Sequence, residues 1–260
     1  MKKEPLFAKE ADLCAAYIAL LPDGWTAYAE TAGWDILLSR DADGFQIGIQ
    51  AKLRLNADVI NQALEEYGSW AADQPGPDCR AVLVPGDVGD KFGRICAYVG
   101  LTIITVGTPW TDYRRGGHIV TGRRIEPPLP GTQGEYFDRK WHEWCPTKRE
   151  PLPAYVPDVA AGAPAPSQLT DWKIRAIKIA IIAQVHGHVL RTDFRQIGID
   201  HRRWISARWL IVEDGLWVAG QMPDFKAQHP RVYDEIKADA AEWMPKREPS
   251  PIDLIAMAAS

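Results

Sequence analysis

Hydrophobic and polar positions in the first hundred residues alternate between helical and strand-like periods. Leu13, Tyr17 and Leu20 recur at the spacing of a helix face, whereas residues 45–55 follow a strand-like pattern. The predicted elements are, in order, a helix at Lys9–Leu21, strands at Trp25–Glu30, Asp35–Ser39 and Phe45–Leu55, a helix at Ala57–Trp70, a strand at Arg80–Val84, a helix at Lys91–Val99 and a strand at Leu101–Val106. Apolar strands joined through helices predict an α/β domain with a central mixed sheet, whose late strands are parallel and buried.

The pattern changes after Val106. Residues 108–144 show no clear period and contain two arginine pairs, so we expect an irregular extension of the first domain. Residues 146–168 are rich in proline and alanine, a composition that favours extended chain and predicts a linker.

Helical spacing returns beyond this segment. Trp172–Gln184 predicts a long helix, and two short helices are predicted after it, the second at residues 201–209. The apolar runs Leu210–Val212 and Leu216–Val218 flank a Glu-Asp-Gly turn, which predicts a β-hairpin. Three helices and a hairpin are typical of a winged helix-turn-helix, and Phe225–Trp243 predicts a further helix. The predicted organisation is a first domain at 1–145, a linker at 146–168, a winged helix at 169–222 and a helical tail at 223–260.

Composition restricts the classes of protein to consider. The 260 residues are 46% hydrophobic and 25% charged, which is typical of a packed globular chain. A net charge of -4 gives no overall basic signature, so any nucleic-acid site must be local. The four cysteines include no C-x-x-C pair, and no apolar stretch approaches the roughly 20 residues that span a bilayer. We therefore expect a soluble, cytoplasmic protein with reduced thiols and no membrane partner.

One spacing carries the strongest chemical signal. Asp35 opens the second predicted strand, and fourteen residues separate it from Gln50 in a Gln50-Ala51-Lys52 sequence on the third. A hairpin brings these side chains to one end of the sheet, and alternation along a strand predicts that Gln50 and Lys52 share a face. The pattern resembles the PD-(D/E)XK nuclease superfamily in a Gln-x-Lys variant.

The resemblance implies both a fold and an activity. It implies a restriction-endonuclease-like αβββαβ core and a DNA endonuclease that hydrolyses phosphodiester bonds with a metal-activated water, leaving 5′-phosphate ends. By resemblance Asp35, Gln50 and Glu10 of the first helix would hold Mg²⁺, for which Mn²⁺ can substitute, and Lys52 would be the catalytic lysine. Nucleases with this core serve restriction, repair and phage functions and often act as dimers, so a homodimer is also expected.

The motif departs from the family pattern at Gln50, which replaces an acidic residue and should weaken metal binding. Glu30 could restore a carboxylate. Because Gln-x-Lys also occurs in active restriction enzymes that act on modified DNA, the change leaves activity open. The alternatives are a catalytically inactive DNA-binding regulator and a protein–protein adaptor, both built on a nuclease fold.

The predicted winged helix is locally basic. Eight Lys or Arg residues lie between Asp171 and Val218 against five acids. We expect Arg202, Arg203, Ser206 and Arg208 to contact DNA, with Ile205 and Trp209 facing inward. The turn of the hairpin is acidic, which keeps a protein partner as the alternative to DNA.

Overall fold

The computed structural model describes residues 5–64, 74–86, 91–107, 110–112, 118–120, 123–158, 161 and 169–247. The chain divides into two compact units, Met1–Leu169 and Thr170–Ser260. Among the described residues no helix is long and apolar enough to cross a membrane.

The first unit is mixed α/β, as predicted. Its elements are α1 (Glu10–Ile18), β1 (Trp25–Thr31), β2 (Trp34–Arg40), β3 (Gln46–Ala51), α2 (Ala57–Leu64), β4 (Cys79–Pro85), α3 (Gly93–Tyr98), β5 (Leu101–Val106), β6 (Trp110–Asp112), β7 (His118–Val120), β8 (Ile125–Glu126) and α4 (Glu135–Asp138). Six strands pair in one sheet, in the order β1-β2-β3-β4-β5-β8. The pairs β1–β2, β2–β3 and β5–β8 are antiparallel, whereas β3–β4 and β4–β5 are parallel. The predicted hairpin and the predicted buried parallel strands are therefore confirmed.

Helices cover both faces of this sheet because its strands are apolar on both sides. Ile36 and Ile49 pack in one cluster with Leu13 and other residues of α1. Leu37, the next residue on β2, packs in a second cluster with residues of α2 and α3, including Val59. Alternation along the strands explains why neighbouring residues enter different clusters. The sheet is thus a buried middle layer, and its polar residues are confined to its ends.

The third strand is shorter than predicted. It ends at Ala51 and not at Leu55. The Lys52 amide still donates to the Leu83 carbonyl at 3.0 Å, after which the chain turns into α2. Asn56 Oδ1 accepts from the Val59 amide at 3.0 Å, the N-cap interaction that starts this helix. The cap was predicted, whereas residues 65–70 of the predicted helix lie outside the described part of the chain.

The segment predicted as irregular contains short regular elements. β8 pairs with the end of β5 through Val106 and Ile125 and so extends the sheet by one antiparallel strand. β6 and β7 form a separate hairpin, and α4 is a single turn. Elements of two to four residues are too short to generate a period in the sequence, which is why the prediction missed them. One of the two arginine pairs of this segment, Arg114-Arg115, lies outside the described residues.

The first residues of the predicted linker are fixed to the α/β unit. The side chain of Gln46 donates to the Glu150 carbonyl and accepts from the Glu150 amide, both at 2.9 Å. Arg149 Nε lies 2.8 Å from a carboxylate oxygen of Asp78. Proline spacing alone does not reveal these contacts, because they depend on side chains elsewhere in the chain. Residues 159–160 and 162–168 of the predicted linker lie outside the described part.

The second unit contains helices and a hairpin. Its elements are α5 (Asp171–His186), α6 (Arg191–Ile197), α7 (Arg202–Ser206), β9 (Leu210–Glu213), β10 (Leu216–Ala219), α8 (Phe225–Gln228), α9 (Pro230–Ala238) and α10 (Ala240–Trp243). Thr170 caps α5 by accepting from the Lys173 amide at 3.2 Å, and Gly187 ends that helix with a φ of 71°. The predicted long helix and the hairpin are confirmed.

The inward face of α7 differs from the prediction. Ile205, expected inside, is 38% exposed, whereas Trp204 is 0% exposed. The helix has only five residues, and Trp204 packs against Phe194 at 5.7 Å and Trp209 at 5.3 Å between ring centroids. Since a single turn presents one residue to the core, the larger indole occupies that position. Trp209, also expected inside, is partly buried.

The predicted continuous helix over residues 225–243 is divided into α8, α9 and α10. The first break occurs at His229, the residue before Pro230, because a residue that precedes proline is disfavoured in the helical region. The apolar run that ends the sequence, residues 252–258, lies outside the described residues.

Candidate functional site

Asp35 lies at the start of β2, beside the end of β3. Its Oδ2 accepts a hydrogen bond from the Ala51 amide at 2.7 Å, so the carboxylate links the two strands. Burial raises the pKa of Asp35 above its ordinary value. The Ala51 amide and the Lys52 charge oppose that increase, while the Glu10 charge adds to it. Asp35 is therefore a partly desolvated carboxyl group with two charged neighbours.

Gln50 is 3% exposed, and its two amide atoms differ in how they are paired. Nε2 donates to the Gly33 carbonyl at 2.9 Å, which fixes the nitrogen on that side and the oxygen on the other. Oε1 is buried and has no hydrogen-bond partner among the described residues. A buried carbonyl oxygen without a partner costs about 1–3 kcal/mol. A hydrogen-bond donor or a cation beside Gln50 Oε1 would remove that cost.

Gln46 provides an internal comparison. It lies on the same strand, four residues earlier and on the same face by alternation, and is 2% exposed. Both atoms of its side-chain amide are paired with the backbone of Glu150. The unpaired oxygen of Gln50 is thus a property of its position at the end of β3 and not of buried glutamines on this strand in general.

Lys52 and Glu10 form an ion pair across α1 and the segment after β3. Lys52 Nζ lies 3.2 Å from Glu10 Oε2, with side-chain exposures of 35% and 36%. The pair is accessible to solvent, so its own contribution to stability is small. Its importance is its location, because both charges affect the pKa of Asp35.

Alternation was expected to place Gln50 and Lys52 on one face of the same strand. Because β3 ends at Ala51, the alternation does not extend to Lys52. The direction of the lysine is set instead by its backbone bond to Leu83 and by its ion pair with Glu10.

Strand register places Glu30, Asp35 and Gln50 in one row. Glu30 lies between the pairs Ala29–Ile36 and Thr31–Trp34, so it stands opposite Asp35. One step beyond the Ile36–Ile49 pair, Gln50 stands opposite Asp35 on the other side. Glu30 has a φ of 49°, which departs from strand geometry. It therefore stands beside Asp35 without a regular strand conformation.

The pKa of Cys14, a buried residue of α1, is affected by the charges around this row. Burial raises the pKa of its thiol to about 12, and the charges of Asp35, Glu10 and Glu30 contribute to the increase. All three carboxylates therefore lie close enough to Cys14 to act on it electrostatically. Neither Cys14 nor the Gly33 carbonyl was predicted from the sequence to be part of this environment. Strand register places Asp35 opposite Gln50 and so gives no direct signal for the Gly33 contact.

The group has few protein ligands for a metal. Within the described ranges, no three or more His, Cys, Asp or Glu side chains are arranged to hold a metal ion. The structure places two carboxylates, Glu10 and Asp35, and the ammonium of Lys52 within electrostatic range of one another, and strand register sets Gln50 opposite Asp35. The group carries one net negative charge when these residues are ionised. Such a set of oxygen atoms would suit a hard cation, with affinity limited by its low charge.

The candidate DNA-contact residues lie on or beside α7. Arg202, Arg203, Ser206 and Arg208 are exposed. The Arg203 guanidinium stacks 4.9 Å from the Trp172 ring centroid and 5.5 Å from that of Trp209. Ser206 Oγ donates to the Arg203 carbonyl at 3.2 Å, so this hydroxyl is already used within the helix. Of the three arginines, Arg202 and Arg208 are more available to contact DNA than Arg203, whose guanidinium packs on two rings.

No protein-family model, curated protein or solved structure matches this chain. Function is therefore inferred from the arrangement of these side chains and from the sequence resemblance.

Proposed function

We propose that the protein is a Mg²⁺-dependent DNA endonuclease with a restriction-endonuclease-like core and a winged helix that contacts DNA. The observation that supports this most strongly is the buried, unpaired Oε1 of Gln50, a residue that stands opposite Asp35 in the β2–β3 register. The Glu10–Lys52 ion pair beside them supplies the remaining charged groups of the expected centre.

The donor atoms fit a hard divalent cation. Asp35, Glu10 and Gln50 Oε1 would hold it, since carboxylate and amide oxygens are the ligands that Mg²⁺ prefers. Glu10 would exchange part of its contact with Lys52 for the ion. When bound, Mg²⁺ would neutralise charge on the scissile phosphate and lower the pKa of a water molecule.

The residues of the chain have separate roles in this proposal. The Gly33 carbonyl orients the Gln50 amide so that its oxygen faces away from the Gly33 bond. The Ala51 amide and Lys52 favour the ionised form of Asp35 against the effect of burial. The ammonium of Lys52, which is one-third exposed, would donate to the attacking water or to a phosphate oxygen. Attack by water on phosphorus, with cleavage of the bond to the 3′ oxygen, would leave a 5′-phosphate end and a 3′-hydroxyl end.

The order of elements supports the proposed core. α1, the β1–β3 meander, α2 and the parallel strand β4 follow one another as the resemblance requires. In the second unit, three helices followed by the β9–β10 hairpin support a winged helix. Cutting both strands of a duplex would need two centres, so a homodimer belongs to the same proposal.

Two rival functions each have an observation in their favour. An inactive DNA-binding regulator is favoured by glutamine at position 50, which leaves the group one carboxylate short of the family pattern. A protein-binding adaptor is favoured by the exposed apolar residues of the hairpin, among them Val212 at 63% and Leu216 at 41%, beside the acidic Glu213 and Asp214.

Cleavage assays separate these functions. Supercoiled, linear, branched and methylated DNA would be incubated with the full-length protein and Mg²⁺ or Mn²⁺. The wild type would be compared with Asp35→Ala and Lys52→Ala and with two controls on exposed residues, Asp23→Ala and Lys9→Ala. The proposal expects metal-dependent cutting that both site variants lose and both controls retain. A protein that binds DNA equally well in every form but cuts none is a regulator, and one that does neither is better explained as an adaptor.

A further inference from the structure

A crevice in the first unit is lined by residues none of which belongs to the candidate site. The crevice has a volume of about 670 Å³ and lies between α3 and β5 on one side and residues 126–142 on the other. This volume is in the range of roughly 300–1,000 Å³ that small-molecule sites occupy.

Hydrogen bonds join the two walls of the crevice at two points. Thr102 Oγ1 donates to the Lys140 carbonyl at 2.9 Å, and Thr105 Oγ1 donates to the Glu126 carbonyl at 3.3 Å. Trp141 Nε1 donates to the Pro128 carbonyl at 3.0 Å within the outer wall. Because β5 is a strand of the sheet, these bonds fix the outer wall to a rigid element. The crevice is therefore formed before any ligand arrives.

The less exposed part of the lining, called the floor, is apolar, and the exposed part, called the rim, is cationic. Leu55, Val84 and Ile103 are buried or half-buried and belong to the floor. Arg139 and Lys140 line the rim, are exposed and form no ion pair within the part of the chain that the structure describes. The acidic residue of the lining, Glu126, lies 3.1 Å from Arg124, which offsets its charge. The uncompensated charge of the rim is thus positive.

A flat side chain stands in the same lining. The His142 ring covers Gly100 so closely that a Cβ there would lie 2.5 Å from His142 Cδ2. The ring also packs edge to face against Trp144, with centroids 5.5 Å apart and an angle of 86°. Trp144 Nε1 donates in turn to the Gly100 carbonyl at 3.0 Å. These contacts hold the imidazole in place as a wall against which a planar group could pack.

We infer that this crevice binds a nucleotide. The apolar floor and the His142 ring suit the faces of a base, and Arg139 and Lys140 suit its phosphate. The same chemistry is present in a free mononucleotide and in a nucleotide at the end of a DNA strand. The inference does not depend on cleavage activity, because no lining residue belongs to the candidate nuclease centre.

Calorimetric titration of the full-length protein tests the inference. The probes are the four deoxynucleoside monophosphates, the corresponding nucleosides and inorganic phosphate. We expect saturable binding of at least one monophosphate, with its nucleoside and inorganic phosphate each at least about tenfold weaker. Equal binding of inorganic phosphate would reduce the crevice to an anion site and overturn the inference, as would the absence of binding by every monophosphate.

Variants locate the binding. Arg139→Ala should weaken it by about tenfold, the effect of one lost charge-assisted hydrogen bond, and Ala97→Phe should abolish it by filling the lining from an exposed helix position. The controls on α3, Arg94→Ala and Tyr98→Ala, lie outside the lining and should bind as the wild type does. Binding that both test variants retain would place the ligand elsewhere and contradict the inference.

A single-stranded oligonucleotide with a 5′-phosphate distinguishes the two sources. If it competes with the mononucleotide and Ala97→Phe weakens both, the ligand is an end of a DNA strand. If the mononucleotide binds alone, the ligand is a free nucleotide.

Discussion

The two buried glutamines of β3 allow a direct test of the unpaired oxygen. Gln50→Met and Gln46→Met each replace a side-chain amide by an apolar group of similar length, on the same strand and face and at almost equal burial. The substitutions differ in what they remove. Gln46 loses two hydrogen bonds to Glu150, whereas Gln50 loses one, to Gly33, together with an oxygen that has no partner.

The expected magnitudes follow from these contacts. Gln46→Met removes both hydrogen bonds to the backbone of Glu150 and should lower the free energy of unfolding by about 1–3 kcal/mol. Gln50→Met leaves one carbonyl unpaired but also removes the cost of burying Oε1, so the net change without metal should lie within about 1 kcal/mol. Mg²⁺ at a hundred times its Kd would stabilise the wild type by about 2.7 kcal/mol. Gln46→Met should retain that gain, and Gln50→Met should lose most of it.

Urea denaturation followed by circular dichroism measures the free energy of unfolding of the wild type and both variants, each with and without Mg²⁺. The transition of the first unit is identified as the one that Gln46→Met shifts. The reasoning is refuted if Gln50→Met costs as much as Gln46→Met in the absence of metal. It is also refuted if Mg²⁺ stabilises Gln50→Met and the wild type equally.

Three further predictions concern other groups. Because burial raises the pKa of Asp35, its ionisation lowers the stability of the folded protein as pH rises through that pKa. With a chelator present, Asp35→Asn should therefore be more stable than wild type at neutral pH. Urea titrations at neutral and at acid pH measure this margin, which should shrink at acid pH. Iodoacetamide should alkylate the exposed Cys145 in the folded protein and spare Cys14, whose pKa is about 12, until denaturation, as peptide mass spectrometry would detect. Arg202→Ala should weaken DNA binding in anisotropy titrations and reduce the slope of log K against log salt by about 0.9, whereas the control Arg231→Ala on α9 should leave both unchanged; an unchanged slope for Arg202→Ala would exclude a phosphate contact there.

The position of the candidate site along the chain was predictable because a tight turn fixes strand register. The turn over residues 41–44 joins β2 to β3, and the Arg40 amide donates to the Phe45 carbonyl at 2.8 Å. Counting outward from that pair places Gln50 opposite Asp35, so their adjacency follows from local sequence. The ion pair between Lys52 and Glu10 does not follow in the same way, because it depends on how α1 packs on the sheet.

That the oxygen of Gln50 is unpaired could not be predicted from the sequence, for a related reason. Gln46 and Gln50 have the same alternation and similar neighbours along the strand, yet the partner of Gln46 is Glu150, more than a hundred residues away. Which buried amide is paired is therefore decided by tertiary contacts. The exposed Ile205 and the buried Trp204 illustrate the same limit, since one helical turn contains no repeat from which to choose a face.

Cleavage of supercoiled plasmid in water enriched with ¹⁸O tests whether Asp35 belongs to a hydrolytic DNA-cleavage centre. Wild type and Asp35→Asn are compared in Mg²⁺, and the new ends are analysed by mass spectrometry. We expect the wild type to cut and to place the label on the 5′-phosphate, and Asp35→Asn to leave the plasmid intact. Uncut plasmid with both proteins, cutting that survives Asp35→Asn, or new ends without ¹⁸O on the 5′-phosphate would contradict the proposed function.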